Sequence, residues 1–474
     1  MPAALAALVV VSALVVVGPS RAVPRDDRPN VVLILSDDQT FESIPHDPPV
    51  MPKLQGLLQD PAQHWIRFPN AFVNTPLCCP SRASILTGRY SHHTGVVDNG
   101  TGENLDEGHT LATSLHAAGY TTALIGKYLN LYPFGLAPVA PPGWDRWLAK
   151  LQGSRLSLYR HYALTDDGFP ARFGASAEDY ATDVYARAAA EFIRTAPEDR
   201  PFFLYLAPTV PHSPWTPAPR DVGSWTGPVP RTPSFDEADV SDKPSWVRAL
   251  PRIGGPLAAK LRRDRRRAYE ALASLDDAVL QVLDALQARR ILDDTVVLFL
   301  TDNGFSFGEH RWITKSCPYD ECIRVPFFVR FPGAEARTDP HPVSNVDLAP
   351  TIARLARTTL DPRPDGVSLV PLLLGRDPPS WRPGVLSEFR GGLGIPAWWA
   401  MRTPRYAYVE YATGERELYD VAGSRGTADP YELRNVAGSS HYGQVERRLA
   451  SDLRTARHEA PQPDILAAHE RSAP

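Results

Sequence analysis

The chain has 474 residues, enough for two or three domains or for one large α/β domain with an appendage, and its 43% hydrophobic and 22% charged residues exclude a disordered or fibrous chain. Fifty basic against fifty-four acidic side chains give a formal charge of -4, so no global field draws the chain to nucleic acid or an anionic membrane, and any anion site is local. Four cysteines (Cys78, Cys79, Cys317 and Cys322) are too few for a disulfide scaffold and lack zinc or haem spacing, while 48 prolines without a P-x-x-P array point to long, stiffened loops.

In chain order, the first feature is the apolar run at 3–18, followed by Pro-Ser-Arg-Ala with small Ser20 and Ala22. It predicts a signal peptide over 1–22, and hence a secreted or extracytoplasmic protein with no stable membrane insertion. The leader has no Lys or Arg before the run, which leaves an uncleaved anchor as the alternative, although the run is short for a spanning helix. From Asn30 onward, short β-branched apolar runs alternate with amphipathic stretches, the pattern of a large, mostly parallel sheet flanked by helices. The expected strands are VVLIL at 31–35, TTALIG at 121–126, FFLYLA at 202–207, TVVLFL at 295–300 and PFFVRF at 326–331, each continuously apolar as a strand covered on both faces should be. A helix is expected over 264–289, where Leu272, Leu275, Val279, Val282 and Leu286 share one face; the basic run from Lys260 to Arg267 at its start reads as a solvated face. After about 375 the pattern becomes an antiparallel meander (AWWAMRT, RYAYVEYA, ERELYDV) closed by a helix near 444–458. The division is therefore 28–375 for a catalytic domain and 376–474 for a smaller C-terminal antiparallel subdomain with a terminal helix. One sequon, Asn99-Gly100-Thr101, could carry a glycan.

In open α/β sheets, ligands bind beyond the carboxyl ends of the strands. VVLIL runs into Ser36-Asp37-Asp38-Gln39 and TVVLFL into Thr301-Asp302-Asn303-Gly304. Either pair alone reads as a helix cap or a turn. Together they offer four hard oxygen donors, a set suited to Ca²⁺ or Mg²⁺ and not to zinc.

The segment Cys78-Cys79-Pro80-Ser81-Arg82, with Leu86-Thr87-Gly88 following, is more specific. It matches the signature by which type I sulfatases have their cysteine oxidised to formylglycine, and the chain resembles that family along nearly its whole mature length. The resemblance is carried by RPNVVLILSDDQ, this motif, Gly126-Lys127, Pro211-His212, Thr301-Asp302-Asn303-Gly304, Lys315 and the late Asp429-Pro-Tyr-Glu-Leu-x-Asn435. Within the family it looks most like the N-acetylglucosamine-6-sulfatases, through GKYLN at 126–130, PPGWDRW at 141–147 and PHSPWTPAP at 211–219. Many arylsulfatases carry a histidine two residues after the lysine, where Leu129 stands here; His92, His93 and His310 are the candidates for a second catalytic histidine.

The resemblance implies an α/β, alkaline-phosphatase-like (sulfatase) fold and a sulfuric ester hydrolase. One hydroxyl of hydrated formylglycine at 78 would attack sulfur, and the second would expel sulfate by collapse to the aldehyde. Asp37, Asp38, Asp302 and Asn303, with an oxygen on residue 78, would hold Ca²⁺ (Mg²⁺ as the alternative). Lys127 and Lys315 would bind the sulfate oxygens, Arg82 the hydrate, and His212 would protonate the leaving alkoxide. Asn130 would hydrogen-bond sugar hydroxyls, while Trp144, Trp147 or Trp215 could stack on a pyranose or belong to the core. The implied substrate is the 6-O-sulfate of N-acetylglucosamine at a glycan chain end, since no long basic insertion is present to grip an extended polyanion. The implied partner is a formylglycine-generating enzyme.

Cys79 falls in the variable slot of the motif, and Cys317 with Cys322 could form a small disulfide loop that braces Lys315. Three rival functions share these residues: a broad arylsulfatase, a phosphoester or phosphonate hydrolase of the alkaline phosphatase superfamily, and a catalytically dead binder of sulfated glycans. A single oxygen-ligand site favours sulfate over the binuclear zinc phosphatases. Retention of Cys78, Arg82, Lys127 and His212 argues against the dead binder.

Overall fold

The computed structural model describes residues 26–153 and 157–458; the expected signal peptide, 1–22, lies outside the described residues. A ten-stranded sheet crosses the molecule with strands in the order, by first residue, Arg337, Trp65, Phe327, Thr295, Asn30, Phe202, Thr121, Arg146, Tyr162, Phe169. The five central strands, Thr295–Thr301, Asn30–Ser36, Phe202–Ala207, Thr121–Gly126 and Arg146–Lys150, are parallel, with Val31 in register with Val296 on one side and Phe203 on the other.

The sheet is mostly parallel, as expected, and antiparallel pairs enter on its two flanks. Phe327–Arg330 runs antiparallel to both its neighbours. A parallel return would need a crossover helix, and the chain between 301 and 327 holds only short elements, so the strand comes back the other way. At the opposite flank Tyr162–Asp166 and Phe169–Phe173 form a hairpin closed by Asp167 and Gly168, both at positive φ, the backbone that a two-residue turn between twisted strands requires.

Side chains alternate across the sheet. Val31, Leu33 and Leu35 face the helices Cys78–Thr87, Leu111–Ala117 and Leu348–Leu355, while Val32 and Ile34 face Pro52–Gln59, Ala181–Thr195 and Gly255–Ala288. Both faces are covered, which is why the central strands are apolar throughout. The long helix starts at Gly255 instead of 264, with Pro256 in its first turn; its polar first third lacks the apolar stripe that marks the rest. Within its basic run Arg265 is buried against Glu309 at 2.9 Å, Lys260 pairs with Asp264, and Arg262, Arg263, Arg266 and Arg267 face solvent.

The C-terminal sheet has four antiparallel strands, Val385–Phe389, Trp398–Arg402, Ala407–Tyr411 and Arg416–Tyr419, the first of which was not anticipated. One face packs on the helix Gly443–His458. The other holds the 312–323 segment: Trp398 donates to Ser316 O at 3.0 Å, Tyr319 to Glu417 at 2.9 Å and Arg402 to Asp320 at 2.8 Å.

Candidate active site

The carboxyl ends of the parallel strands converge on the first turn of the Cys78–Thr87 helix. Asp37 and Asp38 follow Asn30–Ser36, Asp302 and Asn303 follow Thr295–Thr301, Lys127 follows Thr121–Gly126, and His212 stands five residues beyond Phe202–Ala207. At Gly126, φ is +118° and a Cβ would lie 2.1 Å from Ala207 O, so only glycine lets this strand deliver Lys127 beside its neighbour.

Cys78 is fully buried, with Sγ 3.4 Å from Asp37 Oδ1 and 3.8 Å from Asp38 Oδ1. Lys315 Nζ donates to Asp38 Oδ1 at 2.6 Å and reaches Cys78 Sγ at 2.8 Å. Lys127 Nζ donates to Asp37 Oδ2 at 2.7 Å. Arg82, one helical turn after Cys78, donates from Nε to Asp302 Oδ2 and from Nη1 to Lys127 O, each at 2.8 Å; its buried Nη2 lies 3.8 Å from Asp37 and has no hydrogen-bond partner among the described residues. Two nitrogens of the fork are thus spent on fixing strand ends. His212 Nε2 lies 3.5 Å from Asp38 Oδ2, and Nδ1 is 2.7 Å from Ser213 O; a carbonyl only accepts, so Nδ1 carries the proton.

The charges balance as three carboxylates (Asp37, Asp38, Asp302) against three cations (Arg82, Lys127, Lys315) in a buried cluster. Burial opposes ionisation of Asp37, but Lys127, with His212, Arg82 and Lys315, outweighs it and holds the carboxyl well below the usual range. Burial and the neighbouring Asp37 charge push Asp302 up. Burial and Asp37 likewise raise the Cys78 thiol, so the unmodified side chain stays a thiol and is a poor nucleophile. Burial disfavours the Lys315 and Lys127 ammoniums, yet Asp38 and Asp37 respectively more than restore them.

The donor set fits a hard divalent cation. Ligand atoms of Asp37, Asp38, Cys78 and His212 lie within 4.8 Å of one another, and Asn303, whose Nδ2 bonds Asp38 Oδ1 at 2.6 Å, has a buried Oδ1 with no partner among the described residues. An unbonded carboxamide oxygen amid three carboxylates is an oxygen-rich cradle of the kind Ca²⁺ or Mg²⁺ takes. A cavity of about 800 Å³ at the opposite, amino end of the strands, lined in part by Asn30, Phe202 and Val296, holds none of these groups.

Other expected residues are placed differently. His92, His93 and His310 each spend Nδ1 on a carboxylate, of Glu388, Asp365 and Glu237 respectively, and none bonds to the cluster among the described residues. Trp147 is a core residue whose Nε1 donates to Tyr132, and Trp144, half-buried, stacks on Phe203 and packs against the same core. Trp215, three residues after His212, packs on Phe305 and Phe307. Asn130 lies against the nucleophile helix, with a buried Oδ1 that has no partner among the described residues. Cys79 is buried in the core, its thiol raised to about 11 by burial, and Cys317 is disulfide-bonded to Cys322 two residues after Lys315.

Sequence reasoning missed two supports. Asn99, read as a glycan acceptor, turns its Oδ1 inward to accept from Cys79 N at 3.0 Å and so caps the helix whose N-cap residue, Leu77, supplies no side-chain bond. Tyr159 bonds to the His212 carbonyl and anchors that loop. No spacing rule marks either, because both contacts are formed only by the fold.

Comparison with known proteins places this geometry. The family model described as Sulfatase matches residues 29–358, and a second, described as N-sulphoglucosamine sulphohydrolase, C-terminal, matches 308–459. Human N-acetylglucosamine-6-sulfatase is 34% identical over 382 residues, covering 77% of this chain and 68% of the relative. Among solved structures, a protein in complex with its substrate D-glucosamine-2-N,6-O-disulfate superposes with a TM-score of 0.77 at 24% identity, over 92% of this chain and all of that one. A phosphonate monoester hydrolase of Agrobacterium radiobacter does so at 0.73 and 25% identity, over 91% and 96%. The first family model spans every strand end that feeds the cluster, and on that match the chain belongs to the sulfatase family, the hydrolases of sulfuric esters.

Proposed function

We propose that this enzyme removes the 6-O-sulfate of a terminal N-acetylglucosamine in sulfated glycans, using formylglycine derived from Cys78 and a bound Ca²⁺. The observation that carries the mechanism is the placement of Cys78 among three carboxylates and two lysines, with Lys315 Nζ 2.8 Å from its sulfur. A formylglycine hydrate at 78 would supply paired hydroxyls, one to attack and one to release sulfate, and Asp37, Asp38, Asp302 and Asn303 would hold a cation that supplies Lewis acidity there.

The chain's own groups then do the following. Lys127 and Lys315 hold the transferring sulfate from two sides in a site where charge is little screened. Three carboxylates already stand against three cations, so an added divalent ion leaves the site net positive toward an anionic ester. Arg82 fixes Asp302 and the Lys127 backbone, which makes it an orienting residue. His212 exchanges a proton at Nε2, the nitrogen that faces the cluster, and delivers it to the departing sugar oxygen. Asn130 offers its unpaired Oδ1 to a sugar hydroxyl, and Trp215, half-buried against Phe305 and Phe307, is the tryptophan nearest His212 in the chain and would stack on a pyranose.

The substrate reading is supported by the similarity to the human enzyme and by the GKYLN and PHSPW stretches. Export is supported by the apolar leader and by the Cys317–Cys322 bond, of a kind uncommon in reducing compartments; among the described residues no helix is long and apolar enough to cross a membrane. Maturation then requires an enzyme that generates formylglycine. The likeness to the phosphonate hydrolase keeps a second reading in play. Comparing kcat/KM on N-acetylglucosamine 6-sulfate, an internally sulfated heparan oligosaccharide, an aryl sulfate and an aryl phosphonate decides among them: the monosaccharide should lead. Preference for the aryl sulfate would make the chain an arylsulfatase, and preference for the phosphonate would overturn sulfate as the substrate.

A further inference from the structure

A second cluster of chemistry-bearing side chains lies apart from the catalytic groups. His310, Glu321 and Glu432 are buried, and one ligand atom from each falls within 4.8 Å of the others. Glu432 belongs to the late Asp-Pro-Tyr-Glu motif, which none of the steps above uses.

Two of the three aim unsatisfied atoms into the cluster. His310 is 1% exposed, and its Nε2 has no hydrogen-bond partner among the described residues; it stops 3.8 Å from Glu321 Oε2, which has none either. Two further carboxylate oxygens are committed elsewhere. Glu321 Oε1 accepts from Ser234 at 3.0 Å, and Glu432 Oε2 accepts from Asp320 N at 2.8 Å. His310 Nδ1 meets Glu237 Oε2 at 2.7 Å, and Tyr319 stacks on the ring, so the imidazole is locked with the Nε2 lone pair directed at the carboxylates. A carboxylate on the far nitrogen is the outer partner that metal-bound histidines ordinarily have.

Charge accounting points the same way. Lys243 lies 3.6 Å from Glu237, Arg402 bonds Asp320, and Arg265 pairs with Glu309. Among the described residues no lysine or arginine forms an ion pair with Glu321 or Glu432. Two buried carboxylates and one neutral imidazole match the charge and donor preference of a divalent metal that takes nitrogen and oxygen together.

We propose that His310 Nε2, Glu321 and Glu432 form a second metal site, for Zn²⁺, separate from the catalytic cation. It ties the loop that follows the Thr295–Thr301 strand to the C-terminal motif. Its position behind the catalytic turn gives it a bracing role: Gly304, adjacent to Asn303, packs so closely on this segment that a Cβ would stand 2.1 Å from Glu321 O.

The test uses the full chain and does not depend on turnover. Crystals equilibrated with Zn²⁺ and measured on both sides of the zinc absorption edge should show anomalous density at His310 Nε2. In solution, metal analysis should find zinc that Glu321→Gln loses while calcium stays bound, and Glu237→Gln should weaken zinc about tenfold or more. Added Zn²⁺ should raise the melting temperature of the wild type and leave that of Glu321→Gln unchanged. Anomalous density confined to the catalytic cluster, or absent, overturns the site without recourse to any variant, as does unchanged zinc affinity in Glu321→Gln.

Discussion

Lys315 and Asp38, 277 positions apart in the chain, meet at 2.6 Å through Nζ and Oδ1, and the same ammonium touches the sulfur of Cys78. The lysine reaches that point from a loop braced by the Cys317–Cys322 bond and by Trp398 on Ser316 O. Its position serves two purposes: it neutralises a buried carboxylate in the resting site and presents a cation where sulfate would sit. Lys315→Ala should therefore lower kcat about 10²- to 10³-fold, the cost of removing one preorganised charge-stabilising donor. It should also destabilise the metal-free protein by about 3 kcal/mol, because Asp38 is left without that partner. Melting with and without Ca²⁺ checks the second effect: the ion should recover the stability and leave the rate low.

The peptide containing residue 78, taken from native protein, should be lighter than encoded by about the mass of one water. Burial and Asp37 hold the thiol in its unreactive protonated form, so Cys78 itself lacks the nucleophile that turnover demands. Cys78→Ser should abolish activity, whereas Cys79→Ser, a change in the core beneath the site, should retain most of it. Full activity with an unmodified Cys78 thiol would sink the mechanism.

Much of this architecture is visible in the sequence, for a physical reason. A strand covered on both faces must be apolar throughout, so VVLIL and TVVLFL declare their ends, and the polar residues just after them are already at the binding edge of the sheet. The mixed flanks are not visible in this way. Phe169–Phe173 is an exposed edge strand without an apolar run; its one signal, Asp167-Gly168, is a hairpin turn that strand-hunting passes over. The geometry of Lys315 and the inward turn of Asn99 are illegible for a different reason, since each is set by contacts with residues far away in sequence. Cys317 and Cys322 gave the only local hint that the loop carrying Lys315 is held in place.

Chelation should remove activity, and Ca²⁺ or Mg²⁺ should restore it where Zn²⁺ does not, because the cradle of Asp37, Asp38, Asp302 and Asn303 offers only oxygen. Asp302→Ala should act as chelation does, and it also releases Arg82, whose Nε bond at 2.8 Å is made to that carboxylate. Turnover that survives exhaustive metal removal would refute the assignment of both strand ends.

Asn99→Ala should cost about 1 kcal/mol through loss of the cap on Cys79 N. The native protein should carry no glycan at this position, since the side chain that would be modified is turned against the helix. Intact mass and thermal melting check both, and a glycosylated Asn99 would contradict the capping geometry.

Lys150 gives a pH-dependent prediction outside the catalytic chemistry. Lys150 ends the strand beside the one that delivers Lys127 and is 3% exposed; its ammonium donates to Ser157 O at 2.8 Å and lies 5.8 Å from the Tyr162 ring centroid, with no carboxylate paired to it among the described residues. Burial, with the Lys127 charge, pulls it down to about 8. The unfolded chain then binds more protons than the folded one between about pH 8 and the ordinary lysine value, so stability contributed by this group rises with pH across that window and is lost below it. Lys150→Met keeps the stem volume and removes the charge. It should stabilise the protein at pH 7 by about 1–2 kcal/mol and flatten the rise in melting temperature between pH 8 and 10 that the wild type shows. A variant less stable than wild type at pH 7 would show that the ammonium is satisfied where it lies and that burial does not strain it.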